Sequence, residues 1–308
     1  MHRFLLYLSE IKLTDSTLII VKLNGGLGNQ LFQYALGRHL AEINRTGLKL
    51  DISWYKKGIR RYELEYFNIK EQVATPSDIS SVVGTDKNFA DFLNRKIIEP
   101  VMPYYRRRIV KEKQLGFDSN IFKVKHNVYL DGFWQSEKYF KPSEMILREI
   151  LQFKYPLDER NLMIAKQILQ VNAVSLHVRR GDYVQNAEFN RLLGTCNNEY
   201  YQNAIAVIES LVPNPHYFVF SDEMEWVIKN LGLPPATTYV HHNTHTDSYR
   251  DMQLMSLCQH HIVANSSFSW WGAWLGHNNE KNVVGPKQWV ASPERFNPSI
   301  TPTAWNIV

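Results

Sequence analysis

The chain has 308 residues, of which 44% are hydrophobic and 21% charged, so its composition excludes a disordered protein and favours a globular one with two domains. Lysine and arginine outnumber aspartate and glutamate by 35 to 30, and this net charge of +5 favours anionic partners without specifying one. The two cysteines, Cys196 and Cys258, are too few for a disulfide scaffold, lack metal-ligand spacing and fit a reducing compartment.

No stretch has the length of a membrane span or the pattern of a cleaved signal. Residues 1–8 contain a short apolar patch but no long hydrophobic region or small-residue cleavage site, and the next apolar run is interrupted at Lys22. We therefore expect a cytoplasmic protein. A basic cluster at 104–108, with Lys111 and Lys113, is either a solvated segment or a peripheral contact with the anionic inner surface of the membrane.

The first half begins as a nucleotide-binding type of α/β unit, in which a glycine-rich turn at 24–30 joins a strand to a helix. The pattern from 55 to 125 is irregular. A segment with proline at 153–158 is typical of a connection between domains, and we place the boundary after residue 155. The predicted elements are strands at 17–23, 48–52 and 128–134 and helices at 31–44 and 142–151.

The glycine turn matches a dinucleotide-binding fingerprint only in part. Gly26-x-Gly28 requires a third small residue at the position of Leu31, although Asp51 lies at the distance of a ribose-binding acid. The glycines can equally serve tight packing of the strand against the helix. An NAD-dependent oxidoreductase is therefore a disfavoured alternative.

Strands and helices alternate regularly through the second half. This order predicts a doubly wound parallel sheet with right-handed crossovers. Asp222 with Glu225 fits a capping box at the start of one of the helices. The predicted elements are strands at 173–178, 217–220, 237–240, 261–264 and 282–284 and helices at 198–211, 248–258 and 266–275, with a further helix that follows the capping box and ends at 231.

Charged residues follow directly on the apolar strand at 173–178. They are Arg179, Arg180 and Asp182, and His177 lies at the end of the strand itself. Ligands of open parallel sheets bind at the carboxyl ends of strands, and adjacent arginines suit a phosphate. The alternative is a surface ion pair between Arg180 and Asp182.

A second polar turn, at 265–268, precedes the last predicted helix. Its hydroxyl residues Ser266 and Ser267 leave backbone N–H groups free at a helix N-terminus, which is a site for anions, and either serine can also cap the helix. The tryptophans at 270, 271 and 274 are expected to pack against the rest of the domain.

Asp251 has two interpretations that its spacing does not separate. It either completes a capping box with Ser248 or accepts hydrogen bonds from the N–H edge of a purine. The histidines at 241, 242 and 245 suggest a metal, but no carboxylate or thiol accompanies them at suitable spacing.

The chain contains no Asp-x-Asp, the short acidic pair that often holds a metal against a diphosphate. If the protein cleaves a nucleotide diphosphate bond, the charge of the leaving group must therefore be balanced by Arg179 and the turn at 265–268.

Five motifs together resemble the α-1,2-fucosyltransferases of glycosyltransferase family 11, in the family's order, over residues 18 to 285. They are GGLGNQLFQYA at 25–35, GFWQSEKYF at 132–140, HVRRGDY at 177–183, FSD at 220–222 and NSSFSWWGA at 265–273.

The resemblance implies an α/β protein of GT-B type, with two Rossmann-like domains whose parallel sheets face each other across a cleft. Residues 1–155 would form the acceptor-side domain and 156–308 the domain that binds GDP-fucose. The activity implied is that of a galactoside 2-α-L-fucosyltransferase, which transfers L-fucose from GDP-β-L-fucose to O2 of a terminal β-galactoside, such as lactose or N-acetyllactosamine, with inversion. The implied setting is bacterial O-antigen or related glycan synthesis, with no cofactor, metal or nucleic acid.

The resemblance also implies roles for residues of the motifs. The catalytic set is Arg179, which holds the β-phosphate, Asp182, which braces the arginine loop, and Asn29, which projects towards fucose and acceptor. The donor-binding set adds His177 and Asp251 at the guanine, Ser267 and Phe268 at the diphosphate, and Gly26, Ser221, Asn265 and Ser266 from the same motifs.

The general base stays open among Asp51, Asp131 and Glu188, because none of them matches a motif. Two further alternatives are a GT-B transferase that uses another nucleotide sugar and a basic nucleotide- or nucleic-acid-binding module without catalysis. The second would need a distributed basic and aromatic surface, whereas the arginines here converge with a glycine turn and a serine turn.

Overall fold

The computed structural model describes residues 17–58, 60–85, 89–113, 115–181, 184 and 187–308. Asp182 and the apolar patch at 1–8 lie outside the described residues. The chain divides into two compact units. The first runs to Tyr62 and resumes from Ile69 to Leu147, and the second comprises Glu63–Asn68 and Arg148–Val308.

The division after Leu147 lies before the boundary at 155 that the sequence suggested. The reason is a pairing distant in sequence. Phe153 forms an antiparallel bridge with Phe67, and the centroids of their rings lie 4.7 Å apart. This bridge joins 63–68 to the connecting segment. Tyr249 holds both in the second unit, since its ring centroid lies 3.8 Å from that of Tyr66 and 6.5 Å from that of Phe153.

The first unit is built on a five-stranded, wholly parallel sheet of order β3-β2-β1-β5-β4. Its strands are β1 (Leu18–Lys22), β2 (Gly47–Asp51), β3 (Gln72–Val73), β4 (Ile109–Lys111) and β5 (Val128–Asp131). Its helices are α1 (Leu27–Asn44), α2 (Pro76–Val83), α3 (Phe89–Leu93), α4 (Glu99–Val101) and α5 (Glu144–Ile150), the last of which continues into the second unit.

Helix α1 packs closely on the central strand. Its apolar positions at helical spacing, among them Leu31, Phe32 and Leu36, are fully buried. A Cβ at Gly37 would overlap the side chain of Val21, so this glycine lets the helix approach the sheet. The helix begins at Leu27, four residues before the predicted start, because the glycine turn itself supplies its first turn.

The second unit is built on a six-stranded parallel sheet of order β11-β10-β9-β6-β7-β8. The predicted alternation of strands and helices is confirmed, and β11 is an additional strand. The strands are β6 (Asn172–Val178), β7 (Pro215–Ser221), β8 (Thr237–Val240), β9 (His260–Ile262), β10 (Val283–Gly285) and β11 (Asn306–Ile307). The helices are α6 (Glu159–Ile168), α7 (Ala187–Leu193), α8 (Asn198–Leu211), α9 (Met224–Asn230), α10 (Tyr249–Leu257) and α11 (Ser267–Leu275).

Each sheet reverses its strand order at one point. In the second unit the chain builds β6, β7 and β8 outwards and then returns to place β9 on the other side of β6, the strand order of the Rossmann fold. In the first unit the reversal lies between β1 and β5. Ligands of such sheets bind at the carboxyl ends of the strands beside the reversal. No helix within the described part of the chain is long and apolar enough to cross a membrane.

Candidate functional site

The reversal point of the second unit brings together two of the predicted polar segments. Strands β6 and β9 pair in parallel, with Leu176 opposite Ile262, so the residues that follow them meet at one edge of the sheet. His177 lies at the carboxyl end of β6, Arg179–Gly181 follows that strand, and the turn at 264–268 follows β9. The sequence located both segments at strand ends, and the topology places them side by side.

Arg179 is held by an ion pair with Asp222. Strands β6 and β7 pair with Val178 opposite Ser221, so Arg179 and Asp222 are neighbours, with 2.8 Å between Nη1 and Oδ2. The other oxygen of Asp222 accepts a hydrogen bond of 3.0 Å from the backbone N–H of Arg180. Asp222 therefore fixes both the guanidinium and the loop that carries it.

The expectation that Asp222 caps α9 is wrong. The N-cap of α9 is Glu223, and no side chain caps it. A Cβ on Gly181 would lie 2.7 Å from the Asp222 carboxylate, so the glycine of the arginine motif makes room for this brace. The bracing role of Asp182 stays a prediction, because Asp182 lies outside the described residues.

The two adjacent arginines have different partners. The guanidinium of Arg180 lies 3.7 Å from the ring centroid of Trp226, and its Nε is 3.3 Å from Glu223 Oε2. A guanidinium on an aromatic face beside a carboxylate is a packing arrangement. Arg179 is therefore the arginine that stands at the strand end beside the reversal point, while Arg180 anchors the loop to α9.

His177 is a buried, neutral histidine. Its side chain is 6% exposed, and burial lowers its pKa to about 4, with the nearby Arg179 acting in the same direction and Asp222 opposing both. Among the described residues, Nδ1 has no hydrogen-bond partner. The centroid of the His177 ring lies 5.8 Å from the centroid of the Phe268 ring. A buried ring nitrogen without a protein partner can serve a bound molecule.

The serine turn caps α11 as predicted. Ser266 is the N-cap, and its Oγ accepts a hydrogen bond of 3.3 Å from the backbone N–H of Phe268. The expected packing of the tryptophans is confirmed, since Trp270, Trp271 and Trp274 are all buried. Anion binding at the same helix end stays a prediction.

Asn265, in the turn after β9, and Ser221, the last residue of β7, lie beside the same edge and are engaged by the protein itself. The Asn265 amide donates to the carbonyls of Leu193 and Gly194, at 3.2 and 3.1 Å, and its oxygen accepts from the Cys196 thiol. Ser221 Oγ accepts a 3.0 Å hydrogen bond from the backbone N–H of Glu223. Both residues shape the loops around the site through these bonds.

Asp251 does not form the capping box that was one of its interpretations, because Ser248, the N-cap of α10, makes no side-chain capping bond. Its Oδ1 instead accepts a 2.8 Å hydrogen bond from Asn243 Nδ2, which also donates to Asn161 Oδ1. Burial raises the pKa of Asp251 to about 7, although the bond from Asn243 opposes this. The roles of Asn243 and Asn161 could not be predicted from the sequence, because single asparagines carry no pattern.

The histidine cluster does not form a metal centre in the structure. His242 Nε2 lies 3.1 Å from Asn161 Oδ1, within the network that holds Asp251. In the ranges that the structure describes, no three histidine, cysteine, aspartate or glutamate residues are grouped so that they could hold a metal ion.

The reversal point of the first unit joins the other two motifs. Asn29, in the first turn of α1, accepts a 2.8 Å hydrogen bond from Gln135 of the segment after β5. Gln33 links the same two segments, since its amide donates to the carbonyl of Gly132 and accepts from the N–H of Asn24. Each motif has a recognisable sequence pattern, but neither pattern indicates that the two segments contact each other.

Gly26 is a glycine that the fold does not require. It is the N-cap of α1 with an ordinary φ of −80°, and a Cβ there would meet no atom within 4 Å. Gly25, by contrast, has a φ of +78°, which favours glycine. The open space at Gly26 lies at a helix N-terminus, where a bound group can approach the backbone.

Two of the candidate general bases are engaged within the first unit. Asp51 is buried and accepts hydrogen bonds from the Tyr129 hydroxyl at 2.6 Å and the Ser53 N–H at 2.8 Å. Asp131 pairs with Lys22 at 3.2 Å. Glu188, in α7, also has a partner of its own. The structure therefore singles out none of the three.

Comparisons with known proteins decide the family. The sequence model of Glycosyl transferase family 11 matches residues 4–308. The chain belongs to this family. An alpha-1,2-colitosyltransferase from Escherichia coli is 33% identical to it, over 94% of this chain and 98% of its own length. The O-antigen biosynthesis glycosyltransferase WbnK of the same species is 30% identical, over 92% and 98%. Human galactoside alpha-(1,2)-fucosyltransferase 1 is 28% identical, over 82% and 64%.

The fold agrees with the family. The chain aligns with the crystal structure of the fucosyltransferase NodZ from Bradyrhizobium with a TM-score of 0.51 and 15% identity, over 84% of this chain and 92% of that one. The expected GT-B type, with two Rossmann-like domains on parallel sheets, is confirmed. This family 11 member is a glycosyltransferase, and its relatives include enzymes named for α-1,2 linkages and for O-antigen biosynthesis.

Proposed function

We propose that this enzyme transfers L-fucose from GDP-β-L-fucose to O2 of a terminal β-galactoside, with inversion and without a metal, in the synthesis of a bacterial O-antigen or related glycan. The observation that carries the proposal is Arg179, held by Asp222 at the reversal point of the second sheet, beside the N-terminus of α11. Membership of family 11 supplies the reaction class.

The second unit is proposed to bind the donor. Arg179 and the N–H groups at the start of α11 would face the diphosphate, where negative charge grows as the bond from fucose C1 to the β-phosphate oxygen breaks. Because Asp222 fixes the guanidinium in advance, little reorganisation is needed as that charge develops. These donors take the part that a divalent metal plays in other nucleotide-sugar enzymes.

The guanine is proposed to lie between His177 and Asp251. When its carboxyl group is ionised, Asp251 accepts hydrogen bonds from the two N–H groups on one edge of guanine. The Nδ1 atom of His177, which has no partner among the described residues, supplies a further hydrogen bond. Asn243 orients the carboxylate. The first unit would take the acceptor, with Asn29 and the open space at Gly26 at its reversal point.

A second candidate differs only in the donor sugar. The 33% identical relative is named as a colitosyltransferase, and colitose is L-fucose without its 3-hydroxyl. GDP-colitose would engage the same diphosphate and guanine groups. Comparing kcat/KM for the two donors decides between them.

The test is GDP release from GDP-fucose in the presence of lactose and a chelator, with the product linkage determined by NMR. We expect turnover and an α-1,2 linkage. Lack of transfer to any β-galactoside from either donor would refute the transferase proposal, and a strict requirement for Mn²⁺ would refute the metal-free mechanism.

A further inference from the structure

A basic groove lies in the first unit, away from the motifs of the proposed reaction. Its volume is about 750 Å³. Two aromatic rings, Tyr105 and Phe122, belong to its lining, and of the described residues that line it none is acidic. Its basic side chains are Arg106, Arg107, Arg108, Lys123, Lys125 and His126.

The groove combines two stretches that the sequence keeps apart. The arginines precede β4, and the segment 123–126 precedes β5, and these two strands are parallel neighbours. Arg106, Lys125 and His126 are exposed, and no ion pair within the described ranges neutralises the first two. Arg108 is paired with Asp91 at 2.5 Å, so the groove has four further cationic side chains, Arg106, Arg107, Lys123 and Lys125. A cluster of about four to eight lysines and arginines is the size that binds an anionic lipid surface.

An apolar ridge, formed by Ile97, Ile98 and Val101, adjoins the groove. These side chains are 63%, 50% and 84% exposed, which is unusual for adjacent aliphatic residues. The ridge is tied to the groove by Arg107, which donates hydrogen bonds of 2.9 Å to the carbonyls of Pro100 and Met102. Exposed aliphatic side chains beside a cluster of cations are typical of proteins that bind at the lipid–water interface.

We propose that the basic groove and the apolar ridge form a docking surface for an anionic phospholipid membrane. The cations would contact lipid phosphates while Ile97 and Val101 enter the boundary of the acyl chains. A nucleic acid or an acidic protein would also pair with the cations, but neither would have apolar groups to cover the exposed ridge. This inference does not depend on the reaction proposed above.

The position of the surface leaves the site of the first unit free. The groove lies at the amino ends of β4 and β5, whereas the segments with Asn29 and Gln135 follow the carboxyl ends of β1 and β5. These are opposite edges of one parallel sheet. A membrane bound at the groove therefore leaves the loops of the reversal point uncovered.

The test is co-sedimentation of the full chain with vesicles of phosphatidylcholine, alone or with about one third phosphatidylglycerol. We expect binding only to the anionic vesicles, and release when NaCl is raised from about 0.05 to about 0.5 M. The double variant Arg106→Glu and Lys125→Glu should lose at least about tenfold in partition. The matched control, Lys56→Glu and Lys57→Glu, makes the same charge change at exposed positions of the same unit and should lose less than about twofold.

The ridge has its own pair of variants. Val101→Ser should weaken binding severalfold, whereas Met145→Ser, at a position of the same unit that is 75% exposed, should not. Unchanged melting temperatures show that all variants are folded. The proposal is overturned if the chain ignores anionic vesicles, if the groove variant binds like its control, or if a single-stranded DNA of equal charge binds while vesicles do not.

Discussion

Replacement of Arg179 by alanine removes the one guanidinium that we place at the donor diphosphate. In the free protein its ion pair with Asp222 is partly exposed, at 23% and 26% for the two side chains. Exposed pairs contribute only about 0–1 kcal/mol to stability. Asp222 also keeps its hydrogen bond from the Arg180 N–H. The variant should therefore fold, with a melting temperature lowered by no more than about 4 °C.

The cost to catalysis should be much larger. Removal of one fixed donor to a developing anion costs about 2.7–4 kcal/mol, which corresponds to a loss of about 100- to 1000-fold in kcat. The assay is GDP release at saturating GDP-fucose and acceptor. Arg295→Ala, an exposed arginine of the same unit, is the matched control and should keep full activity. A residual rate of the Arg179 variant above about one tenth of wild type, a loss under about 1.4 kcal/mol, would refute the role assigned to Arg179.

Three further substitutions test the neighbouring geometry. Gly181→Ala should lower the free energy of unfolding by about 1–3 kcal/mol, because the new Cβ meets the Asp222 carboxylate, and thermal unfolding at wild-type stability would contradict this. Gly26→Ala meets no protein atom, so it should cost under about 1 kcal/mol of stability but lower turnover, and an unchanged rate would show that nothing approaches this backbone. The Asp251 carboxyl has a pKa raised to about 7 and must be ionised to accept from guanine, so KM for the donor should fall about tenfold from pH 6 to pH 8 in wild type. In Asp251→Asn the same profile should be flat, and a pH dependence that survives this change would assign the titration to another group.

Strand and helix alternation could be predicted because each element carries its own local pattern. The helix at 198–211 and the strand at 237–240 were predicted at the residues where the structure has them. The strands β3, β4 and β11 were missed, since each has only two or three residues and at most one of them is buried. The equally short β9 and β10 could be predicted because two and three of their residues are buried within apolar runs. They are strands because a longer neighbour offers its backbone groups.

The sequence by itself determined the chemistry at the edge of each sheet: a histidine at the end of one strand with arginines after it, a serine turn after another strand, and two glycines and an asparagine at the start of the first helix. Only the tertiary structure decided which of these groups meet. Arg179 finds Asp222 through the pairing of β6 with β7, and Asp251 is held by Asn243, eight positions away in the chain, instead of capping its own helix. The physical reason is that motif spacing records local backbone geometry, whereas strand order and register fix the side-chain partners that lie on other segments of the chain.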